Sequence, residues 1–394
     1  MLKPIVFALC VCLFSLAVNA QNSEISRILE EVEQNNNELK AFASKMDGKL
    51  LQLKASNKLS NPEVGAYYLP LGNQSSGDYT EIQISQAFEF PTVYTARKNL
   101  IKEQFKDLEL TYFSKKQEVL LKAKKYCVEL ISVNKILALE QTRVQQAKQV
   151  FEHISILYES DQVGILIINK AKIAWLQEQF SVQKLELQRQ SLLAELKNIN
   201  GGNSIRITPV YLNDGYRMAD FDSLWKNKLN ADPHLISMQQ KEAIALQESK
   251  LSKSKTLPNL KAGFNRQGFA GEYYSGIYGG ISIPLFGNSN KVKSAEANFQ
   301  FQQSYSKVLS MQAKSEFEKL YNEYSLLLER FEEYNQTLKG LNSEALLLNV
   351  YELGEISFME FYVELQFYRQ ATDSMLNMEK QLNLLKADLL KHQL

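Results

Sequence analysis

The sequence contains few of the residues that form disulfide bonds and transition-metal sites. Its 394 residues include three cysteines and three histidines. Cys10 and Cys12 lie in an apolar segment near the N-terminus, which leaves Cys127 as the only cysteine beyond it. An intrachain disulfide is therefore excluded once that segment is removed. The histidines are scattered along the chain, so we expect no zinc or iron site.

The sequence also lacks an excess of either charge. It has 45 basic and 44 acidic side chains, for a net charge of +1. A nucleic-acid partner requires a basic surface, so none is expected. No GxGxxG, Walker-type, GxSxG or HExxH motif occurs, and these patterns mark common cofactor and catalytic sites. We therefore expect no enzyme, no catalytic residues, and no cofactor or metal ligands.

Long apolar runs are absent except at the N-terminus. Lys3 is followed by an apolar run over 5–18 and by the small residues Val18-Asn19-Ala20. This pattern is typical of a cleaved signal peptide, here residues 1–20. The cysteines in the run lack the small-residue context of a lipid-modified cysteine. No other stretch approaches the roughly 20 apolar residues of a transmembrane helix, so we expect an exported chain without a helical anchor.

Proline and glycine are absent from one very long stretch. Neither occurs between Pro91 and Gly164, and the stretch is rich in Leu, Lys, Glu and Gln. We therefore expect one helix over about 94–157, which would extend roughly 95 Å at about 1.5 Å per residue. Its apolar residues recur at steps of three, four and seven, which indicates a coiled-coil seam. Further helices are expected near 24–57, 165–200, 233–255, 289–351 and 357–392.

The two halves of the sequence repeat the same order of elements. Asn61-Pro62 before a strand matches Leu257-Pro258, and Ile84-Ser85 matches Ile281-Ser282 at almost the same offset. A constant offset over this distance indicates a duplicated helix–strand–strand–helix unit. We expect a first repeat over 21–202, a linker over 203–231 and a second repeat over 232–394.

Alternating polarity predicts two short strands in each repeat. They are expected at about 62–70, 79–90, 258–268 and 273–285. Over 80–90, isoleucine and phenylalanine occupy one face, and Glu81, Gln83, Ser85 and Glu89 occupy the other. Each strand has the length of a strand in an outer-membrane barrel. A small soluble sheet with a buried apolar face explains the same alternation.

Four strands cannot close a barrel, and an open sheet edge is not tolerated in lipid. The barrel interpretation therefore implies oligomerisation, and three copies would supply twelve strands. The residues that would face the membrane are the apolar positions of the strands: Ile82, Ile84, Phe88, Phe90, Leu260, Phe264, Ile277, Ile281 and Ile283.

With these features the chain resembles the TolC family of outer-membrane efflux proteins over nearly all of its mature length. The resemblance rests on the repeat order, the prolines before the strands, and three motifs. The motifs are Ile281-Ser282-Ile283-Pro284-Leu285-Phe286, Val163-Gly164-Ile165 and Tyr351-Glu352-Leu353-Gly354-Glu355-Ile356-Ser357. It implies a mainly α fold with a membrane β-barrel part: a homotrimer whose twelve-stranded barrel is continued by a long α-helical coiled-coil barrel. Residues 203–231 would then join an equatorial collar.

The resemblance also implies a function and partners. It implies a passive duct in the outer membrane of a Gram-negative bacterium, with most of its mass in the periplasm, that carries small-molecule or metal-ion cargo. The implied partners are a periplasmic adaptor protein, an inner-membrane pump of the RND type and outer-membrane lipid. A type I protein secretion duct is an alternative within the family. A soluble periplasmic coiled-coil scaffold is an alternative of another class.

Functional residues are expected at two helical turns, the tips near 158–166 and 351–357. The resemblance assigns adaptor contacts to six of their residues: Val163, Gly164, Ile165, Leu353, Gly354 and Glu355. The glycines also suit a tight helical reversal, and both roles can coexist.

Glu360, six residues after Gly354, occupies the place where the family has an acidic residue lining the periplasmic entrance constriction. Three copies would form a carboxylate ring that favours cations. The matching place in the first repeat holds Lys170, which departs from the family pattern, and the two side chains could pair as a latch or stay solvated. A second alignment of the two repeats, in which the first tip is shifted by three residues, matches Glu360 with Ile167 instead. The family's second acid is Val363 here.

Overall fold

The computed structural model describes residues 24–70, 78–207, 215–269, 271–284, 288–341 and 343–394. The segment interpreted as a signal peptide lies outside the described residues. Part of the predicted linker and the last two residues of the Ile281–Phe286 motif lie outside them as well.

The described chain is mainly helical and contains one four-stranded sheet. The strands are β1 (Glu63–Leu69), β2 (Tyr79–Phe88), β3 (Asn259–Phe269) and β4 (Glu272–Ser282). The helices are α1 (24–35), α2 (Asn37–Ala55), α3 (Pro91–Glu159), α4 (Ile165–Ile199), α5 (Phe221–Ala231), α6 (Pro233–Ser254), α7 (Asn288–Leu341), α8 (Ser343–Glu352) and α9 (Phe358–Leu389). A short 3₁₀ turn, Lys391–Gln393, follows α9.

The long helix predicted from the absence of proline and glycine is confirmed. Helix α3 has 69 residues, and it begins at Pro91, whose missing N–H is not needed at a first helical position. Helix α6 begins in the same way at Pro233, where the Asp232 side chain accepts a hydrogen bond from the His234 N–H. An acceptor at this position satisfies one of the free N–H groups of the first turn.

The expected first helix is divided in two at Asn36. The Asn36 side-chain oxygen accepts the Leu39 N–H at 2.8 Å, and its amide nitrogen donates to the Ile199 carbonyl at 2.7 Å. Asn36 therefore caps α2 and joins it to the end of α4. The expected helix over 289–351 consists of α7 and α8, on either side of residue 342, which lies outside the described residues.

The sheet is antiparallel throughout, in the order β1-β2-β3-β4. Its central pair joins the two halves of the sequence, because β2 pairs with β3 and Ile84 lies opposite Phe264. Within the described residues, β1 and β4 each have a neighbour on one side only.

The chain forms two compact units, and each draws on both halves of the sequence. The first comprises the described residues within 24–41, 115–231 and 315–394. It contains three apolar clusters: one joins α1 to the middle of α3 and the end of α4, one joins α5 to α7 and the end of α9, and one lies at the helical tips. Cys127 is fully buried in the first cluster.

The second unit comprises the described residues within 42–114 and 232–314. It contains the sheet and the helical segments that lead into and out of it. In this unit α6 is tied to the start of α3 by polar contacts. Ser237 donates to Asp107 at 2.6 Å, and Gln240 donates to the Glu103 carboxylate at 2.7 Å.

Candidate functional site

The apolar face of the sheet is exposed. The strand register aligns Val64, Ile84, Phe264 and Ile277 in one row across the four strands. All four are exposed, and Ile277 exposes 89 % of its surface. In a soluble sheet this is the face that would be covered by the core. The exposed face therefore does not fit the small soluble sheet that also explained the alternation.

The register places most of the predicted membrane-facing residues on this one face. Ile82 and Ile84 share it with Phe88, Leu260, Phe264, Ile277 and Ile281. Ile283 follows the end of β4 and is also exposed. Phe90 lies beyond the end of β2, where its carbonyl accepts the Val93 N–H at 2.8 Å and so takes part in the first turn of α3.

The polar face is more covered and carries a network of hydrogen bonds. Ser85 exposes only 3 % of its surface. Lys261 donates to Glu63 at 2.9 Å across the sheet, and Gln83 donates to the Tyr278 hydroxyl. The sheet thus exposes its apolar face, while only the centre of its polar face is partly covered. A water-soluble domain normally covers the apolar face instead.

The two helical tips are built by the same turn. At the first tip, the Gln162 N–H reaches the Leu157 carbonyl at 2.9 Å, and Asp161 has a φ of 59°. At the second, the Glu355 N–H reaches the Val350 carbonyl at 3.1 Å, and Gly354 has a φ of 73°. A left-handed residue with this hydrogen bond is the Schellman ending of a helix.

This match decides between the two repeat registers. Asp161 is equivalent to Gly354, because each is the left-handed residue that ends its helix. Gly164 is equivalent to Ser357, because each is the N-cap of the next helix. Gly164 has an ordinary φ of −85°. Counting on from the caps, Glu360 matches Ile167. The pairing of Glu360 with Lys170 as equivalent positions is therefore replaced by the register shifted by three residues.

The tips pack against each other through an apolar cluster in the first unit. Ile154, Ala171, Phe358, Phe361 and Leu365 are buried in it, and Val163 is half-buried against it. The other predicted adaptor-contact residues are exposed: Gly164, Ile165, Leu353, Gly354 and Glu355. Leu353 exposes 74 % of its surface. The tips therefore combine a packed interior with an exposed rim.

Glu360 has a local structural role. Its carboxylate accepts the Ser357 N–H at 2.8 Å, and its own N–H donates to the Ser357 hydroxyl, which forms a capping box at the start of α9. The hydrogen bond from the Ser357 backbone lowers the pKa of this exposed carboxyl. Lys170 contacts the Met359 sulfur at 3.5 Å. Both side chains lie in the described part of the chain, where they form no ion pair with each other.

A charge network built on two buried arginines joins α3 and α4 to α9, and sequence reasoning missed it. The Arg143 guanidinium on α3 bonds Glu140 and, at 2.8 Å, Asp373 on α9. Arg369 on α9 bonds Glu178 on α4 at 2.6 Å. Both arginine side chains are at least 95 % buried. The network borders an open polar groove of about 600 Å³.

Burial shifts the ionisation of this network. It raises the pKa of Glu178, an effect that the Arg369 charge opposes and the nearby Glu140 reinforces. Burial likewise lowers the pKa of Arg369. One sequence signal points to the burial of Arg369 alone, without its partners: Arg369 lies at the helical spacing of the buried residues Leu365 and Leu376.

Within the described residues, no helix is both long enough and apolar enough to cross a membrane. The same part of the chain has no group of three or more His, Cys, Asp or Glu side chains placed to hold a metal ion.

The structure is similar to solved structures of bacterial outer-membrane proteins. It aligns with CusC, described for its folding and transmembrane channel formation, with a TM-score of 0.79 and 11 % identity over 94 % of this chain and 92 % of that one. It aligns with the outer membrane protein VceC of Vibrio cholerae with a TM-score of 0.77 and 14 % identity over 94 % and 96 %. It aligns with the Campylobacter jejuni CmeC outer membrane channel with a TM-score of 0.70 and 14 % identity over 94 % and 85 %.

No protein-family model matches the sequence, and neither does any curated protein. The likeness to the solved structures is one of fold. It confirms the fold that the resemblance to the TolC family predicted, which is mainly helical with an antiparallel sheet like that of the solved channels.

Proposed function

We propose that this protein is the outer-membrane duct of a tripartite efflux system in a Gram-negative bacterium. It acts as a homotrimer that passively conducts small-molecule or metal-ion cargo and catalyses no reaction. The observation that carries the proposal is the exposed apolar face of the sheet, opposite a polar face whose centre is partly covered. Such a face is stable against lipid and unfavourable against water.

The open edges of the sheet support an assembly of several copies. Strands β1 and β4 lie at the two edges, and an unpaired edge in lipid leaves backbone N–H and C=O groups without hydrogen bonds. Pairing β1 of one copy with β4 of the next satisfies both edges. Three copies then close a twelve-stranded barrel, a size wide enough for a lumen.

A stripe along α4 supports contacts between copies in the first unit. Leu166, Ile173, Phe180 and Leu187 recur every seven residues, and each exposes more than half of its surface. This spacing is that of a coiled-coil seam. Because the stripe is exposed in the single chain, a helix of a neighbouring copy is its proposed partner.

The tips are the proposed entrance and the proposed adaptor contact. The described tip residues 158–170 and 351–360 include five exposed acids and one exposed base, Lys170. The acids are Glu159, Asp161, Glu352, Glu355 and Glu360. Three copies around an axis would concentrate this negative charge, which favours cations at the entrance. The exposed rim of Gly164, Ile165, Leu353, Gly354 and Glu355, with Val163 beneath it, is where we place the periplasmic adaptor.

The remaining parts of the proposal follow from the family resemblance. They are export by a cleaved signal peptide, an inner-membrane pump of the RND type behind the adaptor, and the choice of efflux over protein secretion. The proposed lipid-facing residues are Ile82, Ile84, Phe88, Phe90, Leu260, Phe264, Ile277, Ile281 and Ile283.

Fractionation of the mature protein tests this function. Membranes separated on a density gradient, followed by gels with and without heating and by chemical cross-linking, should show a detergent-requiring trimer in the outer-membrane fraction. A soluble periplasmic monomer or dimer would refute the barrel and the transport role. It would leave a coiled-coil scaffold as the better account.

A further inference from the structure

Within the four strands, the apolar face of the sheet carries a single charged residue. Just before β2, the Asp78 carboxylate accepts a hydrogen bond from the hydroxyl of Tyr68 on this face. By the strand register, this face holds aliphatic, aromatic, small and uncharged polar side chains and one arginine, Arg266 on β3. Its neighbours in the same cross-strand row are Ala66, Ile82 and Ser275. None of them can neutralise the charge of a guanidinium. Such a charge is unfavourable in the middle of a lipid-facing surface and is tolerated near its edge.

Arg266 lies at one edge of the apolar band. The band begins near Ile283, next to the ends of the strands that join the helices. Arg266 lies opposite Ser275 on β4, which is eight residues before Ile283 along the chain. At about 3.4 Å per residue this is about 27 Å along the strand, or about 21 Å along the membrane normal at a tilt of about 40°. The apolar band of an outer-membrane barrel is about 25 Å tall.

Tyrosines surround the arginine on the side away from the helices. The Arg266 guanidinium lies 4.7 Å from the centre of the Tyr273 ring. Tyr68 and Tyr273 occupy the next row toward the strand ends, and both are exposed. Tyrosine belts mark the level of lipid headgroups. The described part of the chain contains no ion-pair partner for Arg266.

We propose that Arg266, supported by Tyr273, binds the phosphate of an anionic lipid in the membrane leaflet farther from the helices. The inference rests on the proposed membrane function. A guanidinium presents several N–H donors in a planar fork that matches phosphate oxygens. The ring of Tyr273 holds that fork over the edge of the apolar band, and the phosphate supplies the missing negative charge.

The test measures lipid binding to the intact trimer. Delipidated protein is titrated in micelles that contain phosphatidylglycerol or neutral phosphatidylcholine, and bound lipid is counted by native mass spectrometry. Arg266→Ala should weaken phosphatidylglycerol binding about tenfold and leave phosphatidylcholine binding unchanged. Arg266→Lys should lose less. Lys261→Ala, which removes a cation from the opposite face, is the matched control and should behave as the wild type.

Three results separate the explanations. Equal phosphatidylglycerol binding by the wild type and by Arg266→Ala overturns the proposal. Displacement of bound phosphatidylglycerol from the wild type by excess inorganic phosphate also overturns it, because it would show a site for free phosphate. If the alanine variant fails to assemble, Arg266→Leu gives the same comparison, since leucine suits a lipid-facing position. A wild-type protein outside the outer membrane would instead refute the proposed function itself, together with this site.

Discussion

Removal of Arg369 should destabilise the region beneath the tips by an amount that depends on Glu178. The Arg369 and Glu178 side chains are 5 % and 13 % exposed and lie 2.6 Å apart, so solvent screens their interaction only weakly. Arg369→Met keeps most of the side-chain volume but leaves Glu178 buried without its counter-charge. Breaking a buried pair in this way costs about 3–5 kcal/mol. We expect the lower end, about 3 kcal/mol, because burial already raises the pKa of Glu178 and allows it to take up a proton.

The double variant separates the pair from the packing. In Arg369→Met with Glu178→Leu no buried charge is left alone, so most of the lost stability should return. The assay is native-state hydrogen exchange, read as the opening free energy of the α4 and α9 peptides around these positions. A coupling free energy of at least about 2 kcal/mol is expected from the cycle.

An exposed pair provides the control. Arg330 and Glu333 on α7 form an ion pair with side chains 60 % and 64 % exposed. Arg330→Met should change the local opening free energy by less than about 1 kcal/mol. If the Arg369 variant behaves like this control, or if the two substitutions at the buried pair are simply additive, the reasoning about the network is wrong.

Four further predictions concern the tips and the network. Glu360→Gln should reduce the cation preference and the block by multivalent cations in single-channel recordings, and it should keep the capping box, which Gln also forms. Glu360→Ala should lose the cation preference and the capping box. Unchanged recordings for the Gln variant would rule out the carboxylate ring. Gly354→Ala should destabilise the second tip by about 1 kcal/mol because its φ is 73°. Gly164→Ala should meet no steric or φ penalty, since its φ is ordinary and no atom lies within 4 Å of an added Cβ. Alanine is a poorer N-cap than glycine, so the opening free energy of the first tip should fall by no more than about 1 kcal/mol. The variant should also weaken adaptor pull-down, and full retention would argue against a contact there. Glu178→Gln should remove part of the pH dependence of the unfolding free energy. The folded-state pKa of Glu178 is raised above 4.5, so the native state binds more protons than the unfolded state. In the wild type, stability is therefore lost as pH rises through that pKa. Denaturant midpoints of both proteins from pH 4.5 upward test this, and identical slopes would contradict it.

The sequence predicted the elements that depend on local pattern. Helix α3 follows from the absence of proline and glycine before Gly164, and the period of two placed Ile84, Phe264 and Ile277 on one face of the sheet. Whether that face is covered depends on the rest of the fold, so alternation alone left a soluble sheet open.

The tips and the network depend on information that local pattern does not contain. Glycine is the usual left-handed residue, so the motif drew attention to Gly164, whereas the first tip uses Asp161, a residue type that tolerates this conformation. Arg369 was missed because a charged residue on a helix normally faces water. Its burial depends on Glu178, which is distant in sequence and belongs to another helix.

The most direct test of the account is whether β1 of one copy pairs with β4 of another. Gly65→Cys on β1 is combined in turn with cysteine at Gly276, Tyr278 or Gly280 on β4, which the register places on the same face. Cys127 is buried, and burial raises the pKa of its thiol to about 12, so we expect it not to react. Paired strands bring Cα atoms to about 4.5–5.5 Å, within disulfide range. Oxidation of intact outer membranes should link up to three chains, with the highest yield at one β4 position. Absence of any link between chains, or a link only within one chain, would contradict a barrel shared by three copies.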